Sequence, residues 1–164
     1  MDKNKEYFMK IALQEAKKAA LIQEVPIGAI VVYDGKIIGR GHNLREHSQN
    51  TIDHAEMVAI DEACRNLRSW RLADCDLYVT IEPCLMCAGA IINARVKNVY
   101  YGAPDYKAGA AESLYNVFND SRLNHLVHAE GGILSTECGQ IMKDFFKKAR
   151  KKRKAQKRAN MVEK

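Results

Sequence analysis

Hydrophobic residues recur at helical spacing near the start of the chain and then change to a strand-like pattern. Residues 5–22 carry apolar side chains three and four positions apart, which predicts an amphipathic helix that ends before Pro26. Residues 28–33 form a β-branched apolar run that predicts a strand, and Asp34-Gly35 is the two-residue signal of a tight turn. Because residues 36–41 return after that turn, the pattern predicts a helix followed by a β-hairpin.

The rest of the chain alternates between helical and strand-like patterns. Apolar residues at helical spacing predict helices over residues 55–66, 84–94, 113–118 and from 135 onward. Short apolar runs predict strands over residues 77–81, 96–101 and 124–129. Since strand–helix–strand units place their strands in parallel with a right-handed crossover, we expect a central mixed sheet with helices on both faces.

Length and composition restrict the chain to a few classes of protein. Its 164 residues fit one domain with a single core, and 47% of them are hydrophobic. No apolar run is long enough to span a bilayer, and the first residues lack the apolar stretch of a signal peptide. The five cysteines are an odd number, which argues against a disulfide framework. We therefore expect a cytoplasmic protein with no membrane partner.

The net charge of +6 is unevenly distributed. Residues 143–164 carry 11 Lys or Arg and 2 acidic residues, whereas the remaining residues carry 15 basic and 18 acidic ones. The body is therefore slightly acidic and the C-terminal segment strongly basic. Such a segment is typical of a contact with a polyanion, but a solvated tail that only aids solubility has the same composition. The charge pattern alone leaves both interpretations open.

Two short motifs stand at the starts of two predicted helices, His54-Ala55-Glu56 and Pro83-Cys84-Leu85-Met86-Cys87. Cys84 and Cys87 are three positions apart, so both sulfurs lie on one helix face and can share a metal. Pro83 suits the first helical position, which predicts Cys84 in the first turn, where the helix dipole favours the thiolate. With His54 as the third ligand and the fourth position left for water, the pattern predicts one catalytic zinc per chain.

Glu56 supplies the carboxylate that such a site needs for proton transfer. On a helix it diverges from His54 by about 200°, so we expect it to face the metal-bound water and not the metal. A redox Cys-x-x-Cys pair is the first alternative, but it leaves His54 and Glu56 without a role. A closed zinc knuckle is the second, and none of the spare histidines, which are His42, His47, His125 and His128, has knuckle spacing. Cys64, Cys75 and Cys138 are isolated and are expected to be core or surface thiols.

These motifs resemble those of the cytidine and nucleobase deaminase superfamily. Within it the chain resembles the bacterial tRNA-specific adenosine deaminases from about Lys5 to Arg150. The segments that carry the resemblance are residues 24–29, 41–43, 54–56, 69–72 and 77–90, together with Phe145-Phe146. The His-x-Glu and Pro-Cys-x-x-Cys motifs mark only the superfamily, whereas residues 69–72, the long segment 77–90 and Phe145-Phe146 together point to the tRNA branch.

The resemblance implies a fold, a set of site residues and a partner. The fold is a cytidine deaminase-like, three-layer α/β/α arrangement around a central mixed five-stranded sheet. Residues 1–150 would form the zinc deaminase domain and residues 151–164 a basic C-terminal tail. The family works as a homodimer, with tRNA across the two subunits. The implied roles are zinc ligation by His54, Cys84 and Cys87, proton transfer by Glu56, adenine binding by Asn43, and RNA contacts by Asp105, Lys107, Phe146 and Arg150.

Three positions depart from the family pattern. Asp53 stands directly before His54, where a small residue is usual, and we expect it to accept a hydrogen bond or to change the charge near the site. Tyr106 replaces a common proline, and Glu112 replaces a usual glycine. None of the three lies in the zinc motif, so they affect the expected RNA contacts and not the expected chemistry.

Three functions are compatible with these residues. The leading one is zinc-dependent hydrolysis of adenosine to inosine at the wobble position of a tRNA anticodon. The alternative is deamination of a free base or nucleotide, such as guanine, cytosine or deoxycytidylate. The basic C-terminus and the aromatic Phe146 favour a polyanionic substrate over a free base. A third possibility is an inactive, zinc-stabilised RNA-binding module, and Glu56 argues against it because a structural zinc site has no use for that carboxylate.

Overall fold

A mixed five-stranded sheet forms the centre of the structure, a computed structural model that describes residues 3–162. The strands are β1 (Gly28–Tyr33), β2 (Lys36–His42), β3 (Cys75–Ile81), β4 (Asn98–Ala103) and β5 (His128–Glu130). Their order across the sheet is β2-β1-β3-β4-β5. β1 runs antiparallel to both β2 and β3, whereas β3, β4 and β5 are parallel. The mixed sheet expected from the sequence is confirmed.

Helices cover both faces of this sheet. They are α1 (Lys3–Leu21), α2 (Arg45–Ser48), α3 (Ala55–Leu67), α4 (Leu85–Asn93) and α5 (Ser135–Val162). α1 and the first part of α5 pack on one face, where Met9, Ile30 and Tyr78 belong to one buried cluster. α3 and α4 pack on the other face, where Ala59 and Leu77 belong to a second cluster. The sheet lies between two apolar layers, so the three-layer arrangement is confirmed.

Two glycines of β2 let α3 lie directly against the sheet. A Cβ atom on Gly39 would lie 2.2 Å from the carbonyl oxygen of Ala59, and one on Gly41 would lie 2.2 Å from that of Ala55. Any larger side chain at these positions would push the helix away, because real Cβ atoms do not approach backbone that closely. The close contact brings the start of α3 next to the end of β2, where the chain enters Asn43.

Four local predictions differ from the structure, and each has a physical cause. The helix predicted over residues 113–118 is wrong: turns lead into a short 3₁₀ helix at Val117–Asn119. β5 is only three residues long, since residues 120–127 form turns around Asp120. β4 begins at Asn98 because Val96 still bonds back to Ile91 at the end of α4. The short α2 has no apolar periodicity and is absent from the prediction.

α5 continues without interruption from the body into the basic segment. The expected boundary between residues 150 and 151 therefore lies inside one helix, and residues 1, 2, 163 and 164 of the two expected regions lie outside the described residues. Every described residue from 147 to 161 is exposed. Over residues 3–162, no helix combines the length and the apolar character needed to cross a membrane.

Candidate active site

Three side chains of the kind that binds metals meet where α3 and α4 begin. The Nδ1 atom of His54 lies 3.7 Å from the Sγ of Cys84 and 3.6 Å from the Sγ of Cys87. All three ligand atoms lie within 4.8 Å of one another. The structure thus brings together two motifs that are 30 residues apart in sequence.

The spacing of these atoms fits a tetrahedral zinc ion. With Zn–S near 2.3 Å and Zn–N near 2.0 Å, a tetrahedral centre separates nitrogen from sulfur by about 3.6 Å. The two His54–Cys distances match that edge. Two sulfurs and one imidazole nitrogen are a donor set that zinc favours, and three protein ligands leave one position of the tetrahedron for water. The residues present therefore fit a catalytic zinc.

Two of the three candidate ligands cap the helices that carry them. His54 precedes α3 with extended backbone angles, and Cys84 precedes α4 in the same way. The expectation that Pro83 occupies the first helical position is wrong, since Leu85 begins α4 and Cys84 is its N-cap. Both helix N-termini nevertheless point their positive dipole ends at the site, which favours negative charge on the sulfurs.

The local environment separates Cys84 from the cysteines outside the site. The hydrogen bond from the Cys87 thiol, together with His54, lowers the pKa of Cys84 to about 4. The same contact and burial raise the pKa of Cys87, because two neighbouring sulfurs do not both ionise without a compensating cation. By contrast, burial raises the pKa of Cys75 to about 11 and that of Cys138 to about 12.

Glu56 is a buried carboxyl group beside these ligands but does not belong to the ligand group. Burial raises the pKa of Glu56 to about 7, which suits a group that accepts and returns a proton near neutral pH. A cavity of about 100 Å³ lies next to it. The lining residues of that cavity are Val25, Ile27, Asn43, Arg45, His54, Ala55 and Glu56.

A larger groove of about 720 Å³ lies beside this cavity, and Ile27 lines both. Asp105 and Lys107 line the groove from the loop after β4, and Phe146, which is 42% exposed, lines it from α5. Its remaining lining combines apolar residues such as Ile81, Ala103 and Met142 with polar residues from the start of α5. Arg150 is not part of the groove and lies exposed one helical turn beyond Phe146.

A family model described as MafB19-like deaminase matches residues 2–150 of the chain. The tRNA-specific adenosine deaminase of Streptococcus pyogenes is 53% identical over 148 residues, which are 90% of this chain and 93% of that protein. The chain belongs to the tRNA-specific adenosine deaminase family. The cytidine deaminase-like fold expected from the sequence is thereby confirmed as well.

Two solved structures agree with this membership. One, from studies of A-to-I editing by tRNA deaminases at the wobble position of transfer RNA, is 43% identical with a TM-score of 0.79. It matches 82% of this deaminase and 98% of its own chain. The other is a guanine deaminase from Bacillus subtilis, 39% identical with a TM-score of 0.60, which matches 72% of this deaminase and 74% of its own chain.

A buried carboxylate that the sequence analysis did not identify organises the loop after β4 of this deaminase. Glu82 accepts hydrogen bonds from the backbone N–H groups of Asp105, Ala111, Glu112 and Ser113 and from the Ser113 hydroxyl. Burial raises its pKa, but these hydrogen bonds outweigh burial, so the pKa of Glu82 is lowered overall. The loop that carries Asp105 and Lys107 is therefore fixed by the carboxylate of Glu82, the residue directly after β3. The sequence signal was a charged residue directly after an apolar strand.

The three departures from the family pattern take defined positions in this deaminase. Asp53 accepts a hydrogen bond from the side chain of Asn50, as one of the two expectations for it stated. Tyr106 is 77% exposed and lines the groove. Glu112 accepts a hydrogen bond from the Tyr101 hydroxyl at 2.9 Å. None of the three belongs to the group of candidate zinc ligands.

Proposed function

We propose that this chain hydrolyses adenosine to inosine at the wobble position of a tRNA anticodon. One observation carries the proposal: a small cavity lined by the buried carboxyl group of Glu56 adjoins a much larger groove that offers Phe146 and Lys107. A free base needs only the cavity, whereas a base that belongs to a polynucleotide needs room for its neighbours as well. The 53% identical relative named tRNA-specific adenosine deaminase supports the same reading.

We further propose that His54, Cys84 and Cys87 hold one zinc ion per chain. A zinc ion bound there supplies Lewis-acid activation of a water molecule at neutral pH. Glu56 takes a proton from the attacking water and returns a proton to the amine as it leaves. Water adds to C6 of the base and ammonia departs, so the reaction is a hydrolysis. Burial of Glu56 keeps bulk water from competing for that proton.

The remaining residues are proposed to hold the RNA. Asn43, which is 6% exposed, offers an amide to the edge of the flipped base. Phe146 offers a face on which a neighbouring base can stack, and Lys107 and Arg150 are exposed cations that suit phosphates. Asp105 shapes its loop, since its carboxylate accepts hydrogen bonds from the backbone N–H groups of Lys107 and Ala108.

We also propose that the chain acts as a homodimer in the cytoplasm, with tRNA across both subunits. Three exposed apolar side chains near the candidate site support a surface that a second subunit would cover. Leu85, Leu114 and Tyr115 are each about half exposed. Leu85 directly follows the ligand Cys84, and the backbone N–H groups of Leu114 and Tyr115 both bond to Gly109, whose backbone bridges to Cys84. A partner subunit on this surface would stand beside each active site.

The deciding experiment compares four substrates of the purified, zinc-loaded protein. They are a tRNA anticodon stem-loop with adenosine at the wobble position, the same stem-loop with that adenosine moved one position, free adenosine, and free guanine. We expect inosine from the first stem-loop alone. Ammonia release from guanine without inosine from the stem-loop would favour the free-base alternative, to which the guanine deaminase fold neighbour lends some support.

Replacing Asn43 by Ala is expected to lower kcat/KM on the stem-loop by about tenfold to a hundredfold while zinc content stays unchanged. A buried contact to the base is lost, and each such contact contributes on that scale. Asn50→Ala is the matched control. Asn50 is also an asparagine between β2 and α3, where its side chain donates a hydrogen bond to Asp53, but it does not line the cavity. Equal effects of the two variants would mean that Asn43 only supports the turn.

Truncation after Arg150 is expected to weaken tRNA binding and to flatten its dependence on salt. The removed residues extend an exposed basic helix by about 1.5 Å per residue, which suits contacts with successive phosphates. Each lost phosphate contact lowers the slope of log affinity against log salt by about 0.7 to 0.9. Affinity measured at several salt concentrations gives both slopes.

The control for this truncation removes cations from another exposed surface. Lys10 and Lys17 are exposed on α1, so the variant with Gln at both positions tests a general effect of charge. We expect it to keep the slope of the full-length protein, and zinc content should be the same in all three proteins. If truncation alters aggregation but leaves the slope unchanged, the segment is a solubility tail.

A further inference from the structure

Glu24 is a buried carboxylate that has no part in the chemistry described so far. It lies between α1 and β1, and only 1% of its surface is exposed. One oxygen, Oε1, accepts a hydrogen bond from the backbone N–H of His47 at 2.6 Å. The other, Oε2, accepts one from Nδ2 of Asn43 at 3.3 Å. A buried acid is thus bonded directly to the amide that lines the deamination cavity.

The partners of Asn43 permit only one orientation of its amide. An asparagine amide has a donating end and an accepting end, and a half-turn exchanges them. The carboxylate of Glu24 only accepts, so Nδ2 must face it. The backbone N–H of Arg45 only donates, and Oδ1 faces it at 3.3 Å. A flipped amide would place acceptor against acceptor and donor against donor at these two contacts.

We propose that Glu24 is a positioning residue that fixes the donor and acceptor ends of Asn43 for recognition of the substrate base. One N–H of the Asn43 amide donates to Glu24, and one lone pair of its oxygen accepts from the Arg45 N–H. The amide therefore keeps its second N–H and its second lone pair for the base. That pair matches a base edge with an acceptor next to a donor, as adenine has at N7 and its amino group. The inference rests on the proposed function of Asn43.

Glutamine at position 24 is the most informative substitution because it keeps the size and changes only the pattern of donors. Glutamine has one oxygen where Glu24 has two, so its NH₂ group must face either the His47 N–H or the Asn43 NH₂ group. The shorter contact, at 2.6 Å, belongs to His47 and holds the oxygen more strongly. The NH₂ group then faces Asn43 and either flips its amide or releases it.

A double-mutant cycle on the wobble-adenosine stem-loop tests whether Glu24 acts through Asn43. We expect Glu24→Gln to lower kcat/KM by about tenfold to a hundredfold in the otherwise unchanged protein, the scale of a misplaced substrate contact. In an Asn43→Ala background the same change is expected to cost less than about threefold, because its target is gone. Equal factors in both backgrounds would show that Glu24 only supports the fold.

Glu15→Gln is the matched control for loss of a buried carboxylate. Glu15 is 2% exposed on α1 and accepts hydrogen bonds from Lys18 and Arg40, but it does not contact Asn43. We expect the factor for Glu15→Gln to be the same with Asn43 present and with Asn43→Ala. Coupling as large as that of Glu24 would overturn the proposal, since any lost carboxylate would then have the same consequence.

A measurement that does not need activity separates this proposal from the proposed function. The side-chain NH₂ signals of Asn43, assigned by their loss in Asn43→Ala, are followed by NMR in ¹⁵N-labelled protein. We expect one downfield-shifted, slowly exchanging proton, and we expect Glu24→Gln to abolish it. An unchanged signal would overturn the positioning role. If the signal responds but the unsubstituted protein makes no inosine, the proposed function fails while the contact stands.

Discussion

Replacing Glu56 by Gln is expected to lower turnover of the stem-loop by about 10² to 10⁴, the usual contribution of a general acid–base group. Glutamine keeps the shape of the side chain but cannot take the proton from water or return it to the departing amine. Because Glu56 is buried and stands outside the group of candidate zinc ligands, zinc content and the folded structure should be unchanged. Single-turnover inosine formation and elemental analysis measure the two quantities.

Asp61→Asn is the matched control for this substitution. It also exchanges an acid for its amide on α3, but Asp61 is exposed and pairs with Arg65 at 2.9 Å. We expect Asp61→Asn to leave turnover within about twofold of that of the unchanged protein. An exposed ion pair of this kind contributes little to the stability of the fold, so its loss should not disturb the site. Near-normal turnover in Glu56→Gln would reject Glu56 as the proton carrier, and the burial of its carboxyl group would then need another explanation.

The sequence predicted the parts of the fold that depend on neighbouring residues. The hairpin of β1 and β2 is an example, since a β-branched run and the Asp34-Gly35 turn specify it within the 15 residues from Gly28 to His42. α1 and α3 are further examples, because their apolar residues recur at helical spacing and form the face that packs on the sheet. Their observed ends differ from the prediction by one or two residues only.

The failures arose where distant residues decide the local structure. Residues 113–118 have a plausible helical pattern, but the backbone N–H groups of Ala111, Glu112 and Ser113 bond to Glu82, about 30 residues earlier in the chain. A helix over residues 113–118 would direct the backbone N–H of Val117 to the carbonyl group of Ser113, but this N–H bonds to the carbonyl group of Ala110 instead. The carboxylate of Glu82, directly after β3, thus holds the backbone that enters this segment as a loop, and no local pattern contains that information.

In the candidate site, too, the features that depend on local sequence were predictable and those that depend on distant contacts were not. His54, Cys84 and Cys87 could be selected as ligands because their residue types and spacing have a chemical meaning of their own. The contact between Glu24 and Asn43 could not, since it depends on the end of α1 meeting the end of β2. The groove is likewise a product of the fold: Lys107 and Phe146 are far apart in sequence and share it only because α5 packs beside β4.

Replacing Cys84 by Ala is expected to remove most of the zinc and, with it, all measurable deamination. The site has three candidate protein ligands, so the loss of one leaves two, which is too few to hold a catalytic zinc firmly. Cys84 is also the sulfur that its surroundings keep as a thiolate, since hydrogen bonding with Cys87 and His54 lowers its pKa to about 4. Elemental analysis after gel filtration measures the zinc that remains.

This substitution tests the metal rather than the fold. Cys84 is the N-cap of α4, but its side chain makes no capping hydrogen bond, and the bridge to Gly109 uses only backbone. Alanine therefore leaves the helix start unchanged, and the far-ultraviolet circular dichroism should match that of Cys64→Ala, the control at a cysteine outside the site. A chelator should lower the melting temperature of Cys64→Ala and leave that of Cys84→Ala unchanged, because only a protein that holds zinc can lose stability with it. Full zinc in Cys84→Ala would place the metal elsewhere and remove the basis of the proposed chemistry.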